Sequence, residues 1–260
     1  MVNNMFPSLI ETTHLVKRYG DKLAVDDVSF TVNGGEIFGF LGPNGAGKTT
    51  TLKIIVGLLE PTSGTIMVSG FDVKNQPVQA KAVSGYVPDE PNLYAKLSGT
   101  ELLRFVGDLY DLDQGHIRRR IEELLRLFDL YEVRDDLIES YSHGMQQKIS
   151  LAAALMHDPK ILILDEPTVG LDPKSARLIK DILRQFADRG AAVMLSTHIL
   201  EIAERMCDRI GIINKGQLVA VGTMNDLRSL GGAHGDTSLE DIFLELTGGA
   251  EYAEIAEVLK

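Results

Sequence analysis

The spacing of hydrophobic positions changes twice along the chain, and each regime predicts a different kind of element. Short β-like runs come first, at Leu9 to Val16, Ala24 to Val32, Glu36 to Leu41, Gly64 to Val68 and Val83 to Val87. Turn signals such as Tyr19-Gly20-Asp21 and Asn33-Gly34-Gly35 separate them. One clear helix, around Thr50 to Val56, is expected to interrupt this part. Helical spacing then takes over. Ser98-Gly99-Thr100-Glu101 has the form of a capping box, and Leu102, Phe105, Val106 and Leu109 follow at i, i+3, i+4 and i+7, predicting one buried face. In the next helix Ile117, Ile121, Leu124, Leu125 and Phe128 make an apolar stripe, so Arg118, Arg119 and Arg120 are expected on the solvated side.

From Lys160 onward strands and helices alternate. Ile161 to Leu164 and Ala191 to Leu195 read as strands, while the helix opened by Asp172-Pro173 places Ile179, Ile182, Leu183 and Phe186 on one face. Leu200 to Met206, and a segment from Ser238 carrying Leu239, Ile242, Phe243 and Leu246, add helices. Such alternation predicts an α/β protein with a mostly parallel core sheet flanked by helices, a fold that binds ligands at the carboxyl ends of its strands. No internal repeat, low-complexity tract or long linker breaks the pattern.

Composition adds limits. At 260 residues and 44% hydrophobic, the chain suits one large unit with a substantial core. Cys207 is the only cysteine, so an intrachain disulfide is impossible and a small buried apolar residue is expected there. Lys and Arg total 26 against 37 Asp and Glu, and the net charge of −11 argues against nucleic acid as a partner. Apolar runs fall far short of the ~20 residues that cross a bilayer, and Met1 to Pro7 lacks the pattern of a signal segment, so a soluble cytoplasmic chain is expected.

The chemistry begins at Gly42-Pro43-Asn44-Gly45-Ala46-Gly47-Lys48-Thr49, which fits G-x-x-x-x-G-K-[ST] between an apolar run and a helical segment. Glycines let backbone N–H groups turn inward around a polyphosphate, Lys48 reaches the β- and γ-phosphates, and Thr49 offers its hydroxyl to Mg²⁺. A glycine-rich turn that merely contains Lys and Thr would not need that strand-loop-helix context. The chain is therefore expected to bind a nucleoside triphosphate. Asp165-Glu166-Pro167 ends an apolar strand, where an aspartate can hold Mg²⁺ and Glu166 can act as general base. His198 ends the next strand and could bond the γ-phosphate, although a lone histidine there can equally be a structural donor. Ser142 occupies a helix-cap position in Tyr141-Ser142-His143-Gly144-Met145, which by spacing alone is also just a capped helix.

Taken together, the P-loop, the Ser-x-Gly helix start at Ser142, Ile-Leu-Ile-Leu-Asp-Glu-Pro at 161–167, Gly170-Leu171-Asp172 and Ser-Thr-His at 196–198 resemble the ATP-binding subunit of an ABC transporter, most like those of bacterial and archaeal exporters. The resemblance implies that Tyr19 stacks on adenine and that Gly42 to Thr50, including Thr50 itself, form the Walker A loop. It further implies that Asp165 and Glu166 are the Walker B aspartate and catalytic glutamate, that Asp172 belongs to the D-loop, and that His198 is the switch histidine. Ser142, His143 and Gly144 would complete a nucleotide site on a second nucleotide-binding subunit. The implied protein is a P-loop ATPase of the ABC type, using Mg²⁺ with ATP as substrate and driving a separate transmembrane subunit from the cytoplasmic face of the membrane. Its cassette would span 1–230, with a helical subdomain inserted at about 91–158 and a helical extension at 231–260.

Two positions depart from the family's pattern. His143 stands between Ser142 and Gly144 where glycine is usual, and Asp89 stands where a glutamine normally follows Tyr-x-Pro. Asp89 is read either as a Mg²⁺ partner or, with Glu90, as part of the surface that docks the membrane subunit. The rival class is an ABC-type ATPase of translation or chromosome maintenance, whose paired cassettes or long coiled coil are not found here. A P-loop kinase or GTPase would leave the Ser-x-Gly signature without a use.

Overall fold

The computed structural model describes residues 6–230 and 238–247. Its centre is a six-stranded sheet of β3 (Ile37–Leu41), β6 (Ser84–Val87), β7 (Ile161–Asp165), β8 (Ala192–Thr197), β9 (Arg209–Asn214) and β10 (Gln217–Gly222). The order is β10-β9-β3-β8-β7-β6, parallel throughout except for the antiparallel edge strand β10. A second, antiparallel sheet is formed by β1 (Ser8–Tyr19), β2 (Lys22–Asn33), β4 (Ser63–Val68) and β5 (Phe71–Asp72), ordered β2-β1-β4-β5. The helices are α1 (Lys48–Ile55), α2 (Pro77–Ala82), α3 (Gly99–Leu109), α4 (Gln114–Leu127), α5 (His143–Ala154), α6 (Pro173–Asp188), α7 (Leu200–Met206), α8 (Met224–Leu230) and α9 (Leu239–Thr247).

The sheet's two faces explain why its strands read as unbroken apolar runs. In β7, Leu162 and Leu164 join the core under α3 to α6, whereas Ile161 and Ile163 join Phe38, Phe40 and α1 on the side of the antiparallel sheet. A strand covered on both sides shows no polar alternation, and each such side chain buried contributes roughly 1.5–3 kcal/mol of hydrophobic stabilisation. The expected alternation and parallel pairing after Lys160 are present, and so are the expected strands before it, β1, β2 and β4 slightly longer and β3 and β6 one residue shorter. They divide between the two sheets, however: β3 and β6 belong to the parallel one.

Several expectations need correction. The first part contains a second helix, α2, besides the one after the P-loop. After α7 the chain adds β9, β10 and α8, a hairpin and helix that the apolar pattern did not announce. The Ser98 capping box is present in both directions, yet only part of the expected α3 face is inside. Leu102 is buried and Val106 packs against the core, but Leu103 and Gly107 complete the inner face while Phe105 and Leu109 stay 44% and 68% exposed. The cause is α4, which crosses so closely that a Cβ on Gly107 would stand 2.8 Å from Ile117. In α4 the apolar stripe is buried as expected, and Arg118 and Arg119 are exposed. Arg120 is not: its guanidinium turns inward to donate to the Leu155 carbonyl at 3.0 Å and lies 3.8 Å from Asp158. The expected 231–260 extension is described only as α9; residues 231–237 and 248–260, like Met1 to Met5, lie outside the described residues. Leu239 and Ile242 of α9 are buried, and Phe243 and Leu246 pack beside them. The Cys207 thiol is enclosed, and burial raises its pKa to about 12, as befits an inert residue.

Candidate functional site: a P-loop cleft

Strand β3 runs straight into the loop Gly42 to Gly47 and then into α1, so the loop lies at the carboxyl end of the central strand. Gly47 holds φ +110°, and a Cβ there would fall 2.5 Å from the Ala24 carbonyl of β2; only glycine fits. No side chain caps α1, so its first N–H groups are left for a ligand, and the helix dipole favours an anion there. Ala46 N–H closes the loop on the Pro43 carbonyl at 3.1 Å, and the Ala46 carbonyl accepts from Gly216 N–H at 2.9 Å. The β9-β10 hairpin thus braces the loop from behind.

Above the loop opens a cleft of about 570 Å³ lined by Tyr19, Lys22, Ala24, Asn44, Gly45, Gly47, Lys48, Thr49, Thr50, Asp89, Glu166, Val169 and His198. Lys48 donates to the carbonyls of Gly42 at 2.8 Å and Pro43 at 3.3 Å, and its Nζ stands 3.6 Å from Glu166 Oε1. The same Oε1 lies 3.0 Å from His198 Nδ1, while His198 N–H donates to Glu166 Oε2 at 3.4 Å. Glu166 has φ +49°, a conformation that costs a non-glycine residue about 1–3 kcal/mol. Its N–H is held by Ser196 Oγ at 3.1 Å and by the Ser196 carbonyl at 3.3 Å. Ser196 Oγ also donates to Asp165 Oδ1, fixing a carboxylate that is almost wholly buried beneath the cleft. Tyr19, 46% exposed, ends β1 at the rim, and Lys17 Nζ lies 5.0 Å from its ring centroid.

Asp89 faces the same cleft. Its pKa is raised, first by partial burial and then by the charges of Asp165, Glu166 and Glu90, with His198 opposing. Carboxylates gathered this way suit a hard divalent cation, which takes oxygen ligands. Among the described residues no three His, Cys, Asp or Glu groups stand close enough to hold a metal alone. The donor set therefore fits Mg²⁺ shared with nucleotide phosphates, the usual way that ion is held.

The remaining sequence candidates lie elsewhere. Ser142 caps α5 by accepting from Met145 N–H at 3.3 Å, and neither it, His143 nor Gly144 lines the cleft. Instead His143 rests on Gly170, where an added Cβ would lie 3.2 Å from its ring, and Leu171 lies over Gly144. Asp172 caps α6, accepting from Lys174 N–H at 2.9 Å, Ser175 N–H at 3.0 Å and Ser175 Oγ at 2.6 Å; these bonds lower its pKa. Gly42, Pro43 and Ala46 shape the loop without lining the cleft. Sequence reasoning missed Lys22, which faces Tyr19 across the hairpin, and Ser196, which pairs with Asp165 in register.

Comparison with known proteins gives one answer. A family model described as ABC transporter matches residues 25–169. The linearmycin resistance ATP-binding protein LnrL of Bacillus subtilis strain 168 is 43% identical over 232 residues, covering 89% of this chain and 74% of that protein. The probable multidrug ABC transporter ATP-binding protein YbhF of Escherichia coli strain K12 is 39% identical over 241 residues; these cover 92% of this chain but 42% of that longer protein. Among solved structures, an ATP-binding subunit of an ABC transporter superposes with a TM-score of 0.87 at 36% identity, covering 92% of this chain and 99% of that one.

Proposed function

The chain belongs to the ABC transporter family as an ATP-binding subunit and ATPase, and from that premise we propose that it binds Mg·ATP in the P-loop cleft, pairs with a second nucleotide-binding subunit, and powers export through a separate membrane subunit. One observation carries this reading: Tyr19, Lys48, Thr49, Asp89, Glu166 and His198 converge on one cleft, while Ser142 and Gly144 do not. A signature helix start that does not line its own chain's cleft is free to complete a site on another chain.

In this reading Tyr19 stacks on the adenine, and the N–H groups of the loop from Gly42 to Gly47, with Asn44 among them, wrap the phosphates. Lys48 leaves Glu166 for the β- and γ-phosphates. Thr49 and Asp165, with Asp89 beside them, would hold Mg²⁺, which neutralises phosphate charge. Glu166 takes the proton of the attacking water, and His198 orients the glutamate from 3.0 Å. The helices α3 to α5 form the inserted subdomain of about 91–158 within a cassette of 1–230.

Export is supported by relatives named for resistance and multidrug transport. No helix among the described residues is long and apolar enough to cross a membrane. In this reading the membrane-spanning function falls to another subunit, and this chain works with it at the cytoplasmic face. For that subunit's docking surface we favour the groove of about 370 Å³ between β6 and the helices, flanked by Leu58, Leu109 and Tyr110. Its walls are largely apolar, with Val56, Leu58, Val106 and Leu109 among them, which suits an incoming loop with an apolar side. Leu109→Asp is expected to abolish co-purification with the membrane subunit while leaving the isolated chain's hydrolysis unchanged. Undiminished co-purification would place the docking surface elsewhere.

A further inference from the structure

We infer that the carboxyl-proximal helix α9 is a positioning element for His198, acting through α7. Leu239 and Ile242 of α9 are fully buried in a cluster with Leu41, Ala203, Ile210 and Ile212, and Leu200 packs at its edge. Leu41 is the residue before the P-loop, and α7, which supplies Leu200 and Ala203, begins two residues after His198. This core is separate from the two that hold the helical layer and the antiparallel sheet together.

The need for an external support lies in α7 itself. It is a seven-residue helix whose N-cap, Ile199, offers no side-chain hydrogen bond, and so short a helix has little stability of its own. Its position is therefore set by what packs on it. It packs on β3, β8 and α9, and α8 is tied to it by Arg228 and Glu204 at 3.4 Å. Helix α9 is itself fixed at both ends. Ser238 and Asp241 bond reciprocally at its start, with Asp241 N–H donating to Ser238 Oγ at 3.2 Å and Ser238 N–H to Asp241 Oδ2 at 3.3 Å. At its end Asn214 Nδ2 donates to the Thr247 carbonyl at 3.2 Å. A fixed α9 thus holds α7, α7 holds the turn in which Ile199 N–H donates to Thr197 Oγ1 at 3.0 Å, and that turn aims His198 Nδ1 at Glu166. No residue of α9 lines the nucleotide cleft.

The inference rests on the reading of Glu166 and His198 as catalytic groups, and its test separates the two. Steady-state ATPase kinetics and ATP binding are measured for the full chain, for Leu239→Ala with Ile242→Ala, for His198→Ala, and for all three substitutions together. Displacing a catalytic group by about 1 Å can cost up to ~10²-fold, so the α9 variant is expected to lose about tenfold in kcat with ATP affinity within about twofold of the parent. Adding the α9 changes to His198→Ala should cost nothing further, because the histidine they position is gone. Equal α9 losses with and without His198 would mean that α9 supports only the fold, and would overturn the inference. Parent-like hydrolysis in His198→Ala would instead remove the catalytic reading beneath it, and the inference with it. If the double variant does not fold, Ile242→Val carries the same comparison with a smaller cavity, and a conservative Leu239→Met should restore kcat relative to Leu239→Ala.

Discussion

Ser196 joins Asp165 and Glu166 through a single oxygen, and removing that oxygen has a calculable cost. Ser196 is fully buried; its Oγ donates to Asp165 Oδ1 and accepts from Glu166 N–H at 3.1 Å. Ser196→Ala leaves the buried Asp165 carboxylate without that donor and leaves Glu166 N–H with only the longer bond, 3.3 Å, to the Ser196 carbonyl. A hydrogen bond to a charged group is worth about 1.5–3 kcal/mol, so urea denaturation should show a stability loss of roughly that size. Since 1.36 kcal/mol is one decade, a loss expressed fully at the transition state would slow hydrolysis roughly 10- to 150-fold. We expect the lower end. Glu166 keeps its contacts to Lys48 and His198 in the variant, and those still restrain its carboxylate. The assay is steady-state phosphate release at saturating Mg·ATP beside an equilibrium urea melt. A variant within about 0.5 kcal/mol of the parent in stability, hydrolysing at the parent rate, would refute the claim that Ser196 holds the Asp165 carboxylate and the Glu166 backbone together.

Three further outcomes are expected. Tyr19→Ala should weaken ATP binding roughly 5- to 150-fold, from the ~1–3 kcal/mol typical of base stacking on an aromatic, and Tyr19→Phe should bind like the parent; equal affinity in Tyr19→Ala would leave the ring a packing role only. Because Asp89's pKa is raised by burial and by neighbouring carboxylates, its ionisation works against the fold. That penalty is absent below the ordinary carboxylate range and grows as pH rises through the raised value, so Asp89→Asn should be more stable than the parent at pH 7 and equal to it in acid. The same variant should need more Mg²⁺ for half-maximal hydrolysis, whereas an unchanged requirement would move Asp89 to the docking surface.

The P-loop was legible because its motif demands a strand before it and a helix after it, and both were visible as changes of period. The parallel sheet was legible for a similar reason, since Ile161 to Leu164 is too short for a helix and too apolar for an exposed strand. Other features depend on contacts that no local pattern encodes. Leu102-Leu103 and Phe105-Val106 offer two adjacent faces, and only the approach of Ile117 to Gly107 selects between them. Arg120 looks solvated until the Leu155 carbonyl at the end of α5 is brought beside it. The missed β9-β10 hairpin did leave a sign: Lys215 and Gly216 turn at φ +48° and +85°, as a two-residue hairpin requires, in a sequence where glycine follows a polar residue between apolar runs. Lys22 and Ser196 reach the site by strand register, which short-range spacing does not reveal.

The central claim, a site completed by a second chain and fired by Glu166, is tested most directly by the oligomeric state of Glu166→Gln in ATP and Mg²⁺, read by light scattering beside phosphate release. The account predicts hydrolysis lowered by roughly 10²–10⁴-fold, with the variant collecting as an ATP-bound dimer that Ser142→Arg in the same chain disperses. Parent-rate turnover, or a dimer indifferent to Ser142→Arg, would contradict it.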